Sequence, residues 1–93
     1  MLFARVTEPN AGYDHDKKAV ADLDPDCYYP VRSVSMGQSS TSFTLKDTSD
    51  HYNSVNFTFY KSAGKDAGMV EHNIYNDPEY NPYLSRIVMQ KFD

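Results

Sequence analysis

The chain has 93 residues, of which 40% are hydrophobic and 14% aromatic, and its formal net charge is −4. This length predicts one domain with its own core, and eight Tyr and five Phe side chains supply enough apolar area to exclude a disordered protein. The acidic balance disfavours direct binding to nucleic acid, which needs clustered Lys and Arg to neutralise phosphates.

The cysteine count and the N-terminus indicate a reducing compartment. Cys27 is the single cysteine, so an internal disulfide is excluded. The N-terminal sequence MLFARV is too short for the apolar region of a signal peptide, and no apolar run approaches the roughly 20 residues that cross a membrane. We therefore expect a cytoplasmic protein that makes no membrane contact.

The first quarter of the chain predicts a strand and a short helix. Apolar residues alternate with other residues over residues 2–7, and Pro9 ends this first strand. After a turn at residues 10–12, Asp14 is placed to cap a helix that continues to about Leu23. The apolar stripe of this helix consists of Ala19, Val20 and Leu23.

Three acidic residues weaken the end of the predicted helix. Asp22, Asp24 and Asp26 lie at its C-terminus or beyond it, where the helix dipole disfavours negative charge. Pro25 then prevents continuation because proline has no amide hydrogen to donate. We expect the helix to fray at this end.

Residues 27–60 predict a meander of three strands, because aromatic and β-branched residues alternate with polar ones in three runs. Residues 36–39 and 47–50 separate the runs with small polar residues that favour turns. The alternation assigns both faces of the second and third runs. The inward set is Thr41, Phe43, Leu45, Val55, Phe57 and Phe59, and the outward set is Ser40, Ser42, Thr44, Ser54, Asn56 and Thr58.

The first of these runs changes face part-way along. Apolar residues before and after residues 32–33 have opposite parity, so one inserted residue is needed there. A β-bulge at this point would curl the sheet, and it predicts that Pro30 lies at an edge or bulge position. The outward face of the meander is almost uncharged, which fits either a solvated surface or a hydrogen-bonding surface for a partner.

The last third of the chain predicts a flexible loop and a C-terminal helix. Residues 62–68 are rich in Gly and Ala, as flexible loops are. Asn81 followed by Pro82 matches a capping residue with proline at the first helical position. We interpret residues 82–91 as a helix packed on the open side of the sheet. A closing strand stays open as an alternative, because residues 86–89 are also compatible with a strand.

No residue pattern in the sequence predicts a catalytic, metal or cofactor site. The three histidines lack the spacing of a metal site, and His15 and His72 are interpreted as solvated loop residues. Cys27 is interpreted as a packing residue. Residues 33–42 are rich in hydroxyl groups but lack the spaced glycines and the lysine of a phosphate loop. We therefore expect no enzyme, no cofactor and no metal.

One segment combines tyrosines with acids. Residues 75–83 contain three Tyr, one Asp and one Glu but no Lys or Arg, which favours a protein interface over a stacking site for single-stranded nucleic acid. The alternative is that these tyrosines cover one end of the sheet. With the acids that follow the helix, the candidate partner-binding residues are Tyr75, Asp77, Glu79, Tyr80, Tyr83, Asp22, Asp24 and Asp26.

Three stretches of the chain carry a resemblance. They are residues 9–13 (PNAGY), 29–42 (YPVRSVSMGQSSTS) and 52–59 (YNSVNFTF), of which the last, an Asn-Ser-Val-x-Phe-x-Phe run, is the most specific. In these stretches the chain resembles short phage and prophage proteins of Gram-positive bacteria. The resemblance covers residues 1–60 and implies a small SH3-like barrel and a viral genome. It assigns no active residue.

Together these observations predict an α+β fold. We expect a curled antiparallel sheet of four or five strands, an SH3-like barrel, with a short helix after the first strand and a C-terminal helix or strand. One domain is expected over residues 1–93, with the sheet core and the helix in residues 1–60 and the loop and C-terminal segment in residues 61–93.

Charge and viral context favour a function that involves no reaction. We expect an anti-CRISPR-like inhibitor that contacts a host protein, such as a nuclease or a defence complex, in the bacterial cytoplasm. One alternative is a housekeeping interaction module of a phage or mobile element, which binds a phage protein or itself. Another is a weak binder of single-stranded nucleic acid.

Overall fold

The computed structural model describes residues 1–37, 39–48, 50–64 and 68–84, which form an α+β fold. The strands are β1 (Leu2–Val6), β2 (Tyr29–Met36), β3 (Thr41–Leu45), β4 (His51–Asn53), β5 (Phe57–Ser62) and β6 (Met69–Glu71). Helix α1 (Asp14–Val20) follows β1, and 3-10 helices lie at Ser54–Asn56 and Ile74–Asn76. None of the helices in these ranges is long and apolar enough to cross a membrane.

The strands form one antiparallel sheet in the order β4-β3-β2-β1-β5-β6. Within the described ranges the sheet is not closed, and it contains six strands where the sequence predicted four or five. The prediction missed β6, which follows directly after the segment interpreted as a flexible loop. The α+β class and the antiparallel sheet are confirmed, whereas the SH3-like form of the sheet stays a prediction.

Strand β2 changes partner at the predicted bulge. Its first two residues pair with β1, and the rest pairs with β3 with a shift of register between Val31 and Ser33. This confirms the bulge, and it explains how Pro30 is tolerated in an inner strand. Pro30 lies just before the shift, and its carbonyl accepts a hydrogen bond from the Lys46 backbone amide at 3.0 Å.

The core lies on one face of the sheet. Phe43 is its centre, since its ring meets those of Phe57, Phe59 and Tyr52 at centroid distances of 4.7, 5.0 and 5.8 Å. Edge-to-face pairs, which Phe43 forms with Phe57 and Phe59, add stability beyond the area that they bury. The buried apolar residues are Leu2, Ala4, Val6, Val20, Val31, Phe43, Leu45, Tyr52, Phe57, Phe59 and Ile74.

The face assignment is confirmed for the core residues of β3 and β5 but wrong where the third run is interrupted. Residues 51–62 form two strands separated by a 3-10 helix rather than one strand. As a result Val55, predicted to point inward, is 48% exposed, and Asn56, predicted to point outward, is fully buried. Ser54 is also buried, contrary to the prediction, while Thr44 lies on the predicted outward side of β3 but is only 9% exposed.

Helix α1 is shorter than the sequence predicted. It ends at Val20, and the backbone then tightens into a turn in which the Leu23 amide donates to the Val20 carbonyl at 3.1 Å. The cap position is occupied by Tyr13, not Asp14. The apolar stripe is confirmed, because Val20 is buried and both Ala19 and Leu23 pack against the core.

The C-terminal segment starts as the sequence predicted. Residues 82–84 are helical, after an Asn81 side chain whose oxygen accepts a hydrogen bond from the Tyr83 amide at 3.0 Å. This is the geometry of a helix N-cap. The remainder of the predicted helix lies outside the described residues. It includes residues 86–89, for which a closing strand was the alternative prediction.

Candidate functional site

One cleft gathers exposed apolar side chains of the described residues. Its volume is about 530 Å³. Tyr13 is 75% exposed, and Val55 and Tyr75 are each 48% exposed. We call it the tyrosine cleft, and its lining is Gly12, Tyr13, Ser39, Ser40, Thr41, Asn53, Ser54, Val55 and Tyr75.

Both tyrosines of the cleft are held in place by contacts of their own. The Tyr13 ring stacks on the His15 ring, with centroids 5.9 Å apart and planes 12° from parallel. The Tyr75 hydroxyl shares a hydrogen bond of 3.1 Å with the Ser54 hydroxyl. Because their rotamers are restricted before any partner arrives, these side chains lose less entropy on binding than free tyrosines would.

A buried carboxylate connects the two sides of the cleft. Asp16, only 7% exposed, accepts hydrogen bonds from the Tyr13 backbone amide at 2.9 Å and from the Asn53 side chain at 3.3 Å. The Asn53 side-chain oxygen in turn accepts a hydrogen bond from the Val55 amide at 3.2 Å. The exposed Tyr13 and Val55 therefore belong to one hydrogen-bonded network, which fixes their separation.

The loop before Tyr13 is attached to the sheet by Asn56. The Asn56 side-chain amide donates to the carbonyls of Glu8 and Ala11 at 2.8 and 2.9 Å. Gly12 follows with φ +81, a conformation that side-chain-bearing residues rarely adopt, and a Cβ there would lie 2.6 Å from an Asp16 carboxylate oxygen. The loop conformation that presents Tyr13 thus requires glycine at position 12.

The lining of the tyrosine cleft suits a protein surface. None of the described residues that line it is charged; they offer aromatic rings, one aliphatic side chain, hydroxyls and an amide. Tyrosine is enriched among the residues that dominate protein interfaces, and hydroxyls adapt to either a donor or an acceptor. Such a set can bind by contact and hydrogen bonding. Among the described residues, no group of three acidic, His or Cys side chains could hold a metal ion.

Comparison with known proteins places the chain in a phage family. The profile of the family described as bacteriophage T4 protein Y07B matches residues 1–86. The chain belongs to this family. An uncharacterised 11.2 kDa protein from the segB-ipI intergenic region of Enterobacteria phage T4 is 29% identical over 82 residues, covering 84% of each chain. No solved structure matches. The predicted resemblance to phage proteins is confirmed, while the Gram-positive origin and the anti-CRISPR class stay predictions.

The structure places the side chains of residues 75–83, the predicted segment of tyrosines and acids, in different surroundings. Tyr75 lines the cleft, but Asp77 is turned toward the protein, where its carboxylate lies 2.7 Å from His72 Nε2 and 3.4 Å from Lys61 Nζ. Tyr80 packs against the core, with Lys61 Nζ 5.6 Å from its ring centroid. Glu79 stays exposed at 68%. Asp77 and Tyr80 are therefore engaged within the protein, and their part in binding a partner stays a prediction.

The remaining candidate partner-binding residues do not line the tyrosine cleft. Tyr83 is half-buried at the start of the C-terminal helical turn. Asp22, Asp24 and Asp26 are exposed in the turn region after α1, where Asp24 accepts a hydrogen bond from the Asp26 amide at 2.9 Å. No hydrogen bond or ion pair among the described residues links these three acids to residues 75–83.

The contacts of Asp77 with His72 and Lys61 should make the stability of the fold depend on pH. The hydrogen bond from the Glu79 amide, then those from His72 and Lys61, lower the pKa of Asp77 below its ordinary value of 3.8. A depressed carboxyl pKa stabilises the fold above the unfolded value and loses that effect as the pH falls through the folded value. We expect Asp77→Asn to lower the urea midpoint at pH 7 and the gap to wild type to narrow below about pH 4.

Asp22→Asn is the matched control for this measurement, because Asp22 is exposed and makes no hydrogen bond or ion pair within the described ranges. Its urea midpoint should follow wild type at both ends of the pH range. A gap between Asp77→Asn and wild type that stays constant from about pH 7 down to about pH 2 would contradict a stabilising role for the Asp77 charge.

Three single-residue interpretations need correction. His72 is not a solvated loop residue, since it is 27% exposed and bound to Asp77. Cys27, predicted to pack, is exposed in the turn before β2. Partial desolvation and then the nearby Asp24 carboxylate raise the pKa of the Cys27 thiol, which disfavours the reactive thiolate. His15 is exposed, as predicted, but it lies in α1 rather than in a loop, and its ring stacks on Tyr13 of the cleft.

The sequence prediction missed most of the tyrosine cleft. The pattern of the sequence places Tyr13 in no element, assigns no role to Asp16 and puts Val55 in the core. The sequence did contain one signal for the cleft. Residues 9–13 and 52–59, which carry the resemblance to phage proteins, both contribute to its lining. These two stretches meet in the structure through Asn56, which bonds to the loop before Tyr13.

Proposed function

We propose that this member of a phage protein family is a non-catalytic binding protein that inhibits a host nuclease or defence complex by direct contact, as anti-CRISPR proteins do. The proposal is supported by the phage family and by the tyrosine cleft. The partner would be a protein in the bacterial cytoplasm, and no cofactor would take part.

The single observation that carries the proposal is the clustering of exposed apolar side chains. Tyr13, Val55 and Tyr75 line one cleft and are each at least 48% exposed. Apolar groups gathered at one place on a surface mark interaction sites more often than scattered ones do. Since the tyrosines are already oriented, they are suited to act as the anchors that dominate binding energy.

The acidic residues would add to this contact at longer range. Asp22, Asp24, Asp26 and Glu79 are exposed, and the chain has a net charge of −4. A nuclease presents a basic cleft to its nucleic-acid substrate, so an acidic protein is attracted to the same surface. In this view the tyrosines hold the partner, and the charges accelerate association.

The test is a titration of purified host nucleases, a CRISPR effector among them, with cleavage of DNA as the readout. Wild-type protein should bind and slow at least one of them. The double variant Tyr13→Ala/Tyr75→Ala should need roughly 100-fold more protein, because two anchors at about 1.5 kcal/mol each give that change in affinity. Tyr28→Ala is the control, as Tyr28 is exposed outside the cleft.

Two results would overturn the proposal. The first is that no host nuclease is bound or slowed by the wild-type protein. The second is inhibition that the double variant retains in full, which would show that the cleft takes no part. A capture of phage proteins alone, with host defence intact, would favour the housekeeping interaction module instead.

A second candidate function has an observation of its own. On the sheet face opposite the core, the Arg5 guanidinium lies 5.7 Å from the Tyr28 ring centroid, and Tyr28 meets Tyr60 edge-on at 5.0 Å. Aromatic rings with an arginine can stack the bases of a single strand. This function predicts oligonucleotide binding that falls steeply with salt and is lost in Arg5→Gln. A flat salt response eliminates it.

A further inference from the structure

The sheet ends in a short strand whose outer side pairs with no other strand among the described residues. β6 is last in the strand order, and β5 is its neighbour. The opposite edge strand, β4, is contacted by α1, and its Asn53 donates to Asp16 of that helix. An edge strand with free backbone groups is a template for pairing with another chain.

The hydrogen bonds to β5 show which backbone groups of β6 point outward. The His72 amide donates to the Phe59 carbonyl at 2.8 Å, so the groups of residue 72 face β5. Backbone groups alternate between the two sides of an antiparallel strand. Those of Val70 therefore face β5 as well, and those of Met69 and Glu71 point to the open edge.

We propose that two copies of this chain pair through β6, antiparallel about a two-fold axis at Val70, so that the two sheets become continuous. In this register Met69 of each copy lies opposite Glu71 of the other. These are hydrogen-bonded pairs, so every outward donor and acceptor of both strands is satisfied.

Charge and exposure select this register. An axis at Glu71 would place the two carboxylates directly opposite each other, which is destabilising. With the axis at Val70, each Glu71 instead faces an uncharged Met69. The two Val70 residues then form a non-hydrogen-bonded pair, whose Cα atoms lie about 4.5 Å apart. Val70 is 54% exposed, so the pairing removes apolar surface from water.

Disulfide trapping tests the register directly. In a Cys27→Ser background, which removes the single native cysteine, Val70→Cys should form a disulfide-linked dimer on mild oxidation, since the expected Cα separation suits a disulfide. Val55→Cys is the matched control, because Val55 is also an exposed valine but lies away from β6. A Val70→Cys variant that crosslinks no faster than Val55→Cys would overturn the proposal.

The mass in solution tests the pairing without a crosslink. Sedimentation of the wild-type chain should show a mass that rises with concentration from 10.6 kDa toward twice that value. Val70→Lys should remain at the monomer mass, because it places two positive charges at the axis, and Val55→Lys should behave as wild type. A wild-type chain that stays monomeric at millimolar concentration would overturn the proposal.

The same two lysine variants keep this proposal separate from the proposed function. Val55→Lys alters the tyrosine cleft and should weaken nuclease inhibition while the dimer persists. Val70→Lys should abolish the dimer and leave the tyrosine cleft of each copy intact. Loss of each property in its own variant alone supports both proposals independently, whereas a wild-type chain that inhibits but stays monomeric, or dimerises but inhibits nothing, identifies the proposal that has failed.

Discussion

Phe43→Ala is expected to remove about 4 kcal/mol of stability, because the substitution leaves a cavity at the centre of the core. Phe43 is 1% exposed, and its ring contacts three other aromatic rings. A domain of this length has a free energy of unfolding of roughly 5–14 kcal/mol, so the loss is a large fraction of the total. Tm should fall by roughly 20 °C. Thermal unfolding followed by circular dichroism measures it.

Phe3→Ala is the matched control, since Phe3 lies on the other face of the same sheet and is only half-buried. It makes the same chemical change without opening a core cavity, and it should cost less than half as much. Equal losses from the two substitutions would contradict a core confined to one face of the sheet.

Alternation in the sequence was sufficient to predict the strands that bury one face along their whole length. In β3, Thr41, Phe43 and Leu45 are all buried, as their period of two requires. The bulge in β2 was also predictable, because a strand whose apolar residues change parity must contain one inserted residue to keep them on the same face. Both features depend on residues close together in the chain.

The prediction for the third run, residues 51–60, was wrong because side chains in it form hydrogen bonds with the backbone. Asn53 accepts a hydrogen bond from the Val55 amide, as cap residues do, and this begins a 3-10 turn inside an apparently regular strand. Hydropathy records Asn only as polar. It cannot distinguish an outward Asn from Asn56, which is buried because it bonds to a distant loop.

Contacts between residues distant in the chain also explain the errors in residues 75–83. The sequence shows Asp77 among acids and tyrosines, whereas Lys61 and His72, which contact its carboxylate, come from β5 and from the residue after β6. Since β6 was not predicted, neither was the contact. The tyrosine cleft has the same origin, because residues 9–13 and 52–59 meet only in the folded chain.

Asn56→Ala is expected to destabilise the fold by about 3 kcal/mol and to weaken partner binding at the cleft. Two hydrogen bonds at about 1 kcal/mol each are lost, and the carbonyls of Glu8 and Ala11 lose their donor. The loop that ends in Tyr13 then loses its attachment to the sheet, so the anchor is no longer held for a partner. Urea unfolding followed by circular dichroism measures the first effect, and the nuclease titration measures the second.

Two further variants separate the donors of Asn56 from its volume. Asn56→Asp keeps the size of the side chain but offers the two carbonyls no donor when ionised and only one when protonated, so it cannot make both hydrogen bonds and should destabilise the fold. Asn73→Ala removes an exposed asparagine that accepts a single hydrogen bond, from the Tyr75 amide, and should cost about 1 kcal/mol. If Asn56→Asp were as stable as wild type, the two donated hydrogen bonds would not be what fixes the loop, and the position of Tyr13 would need another cause.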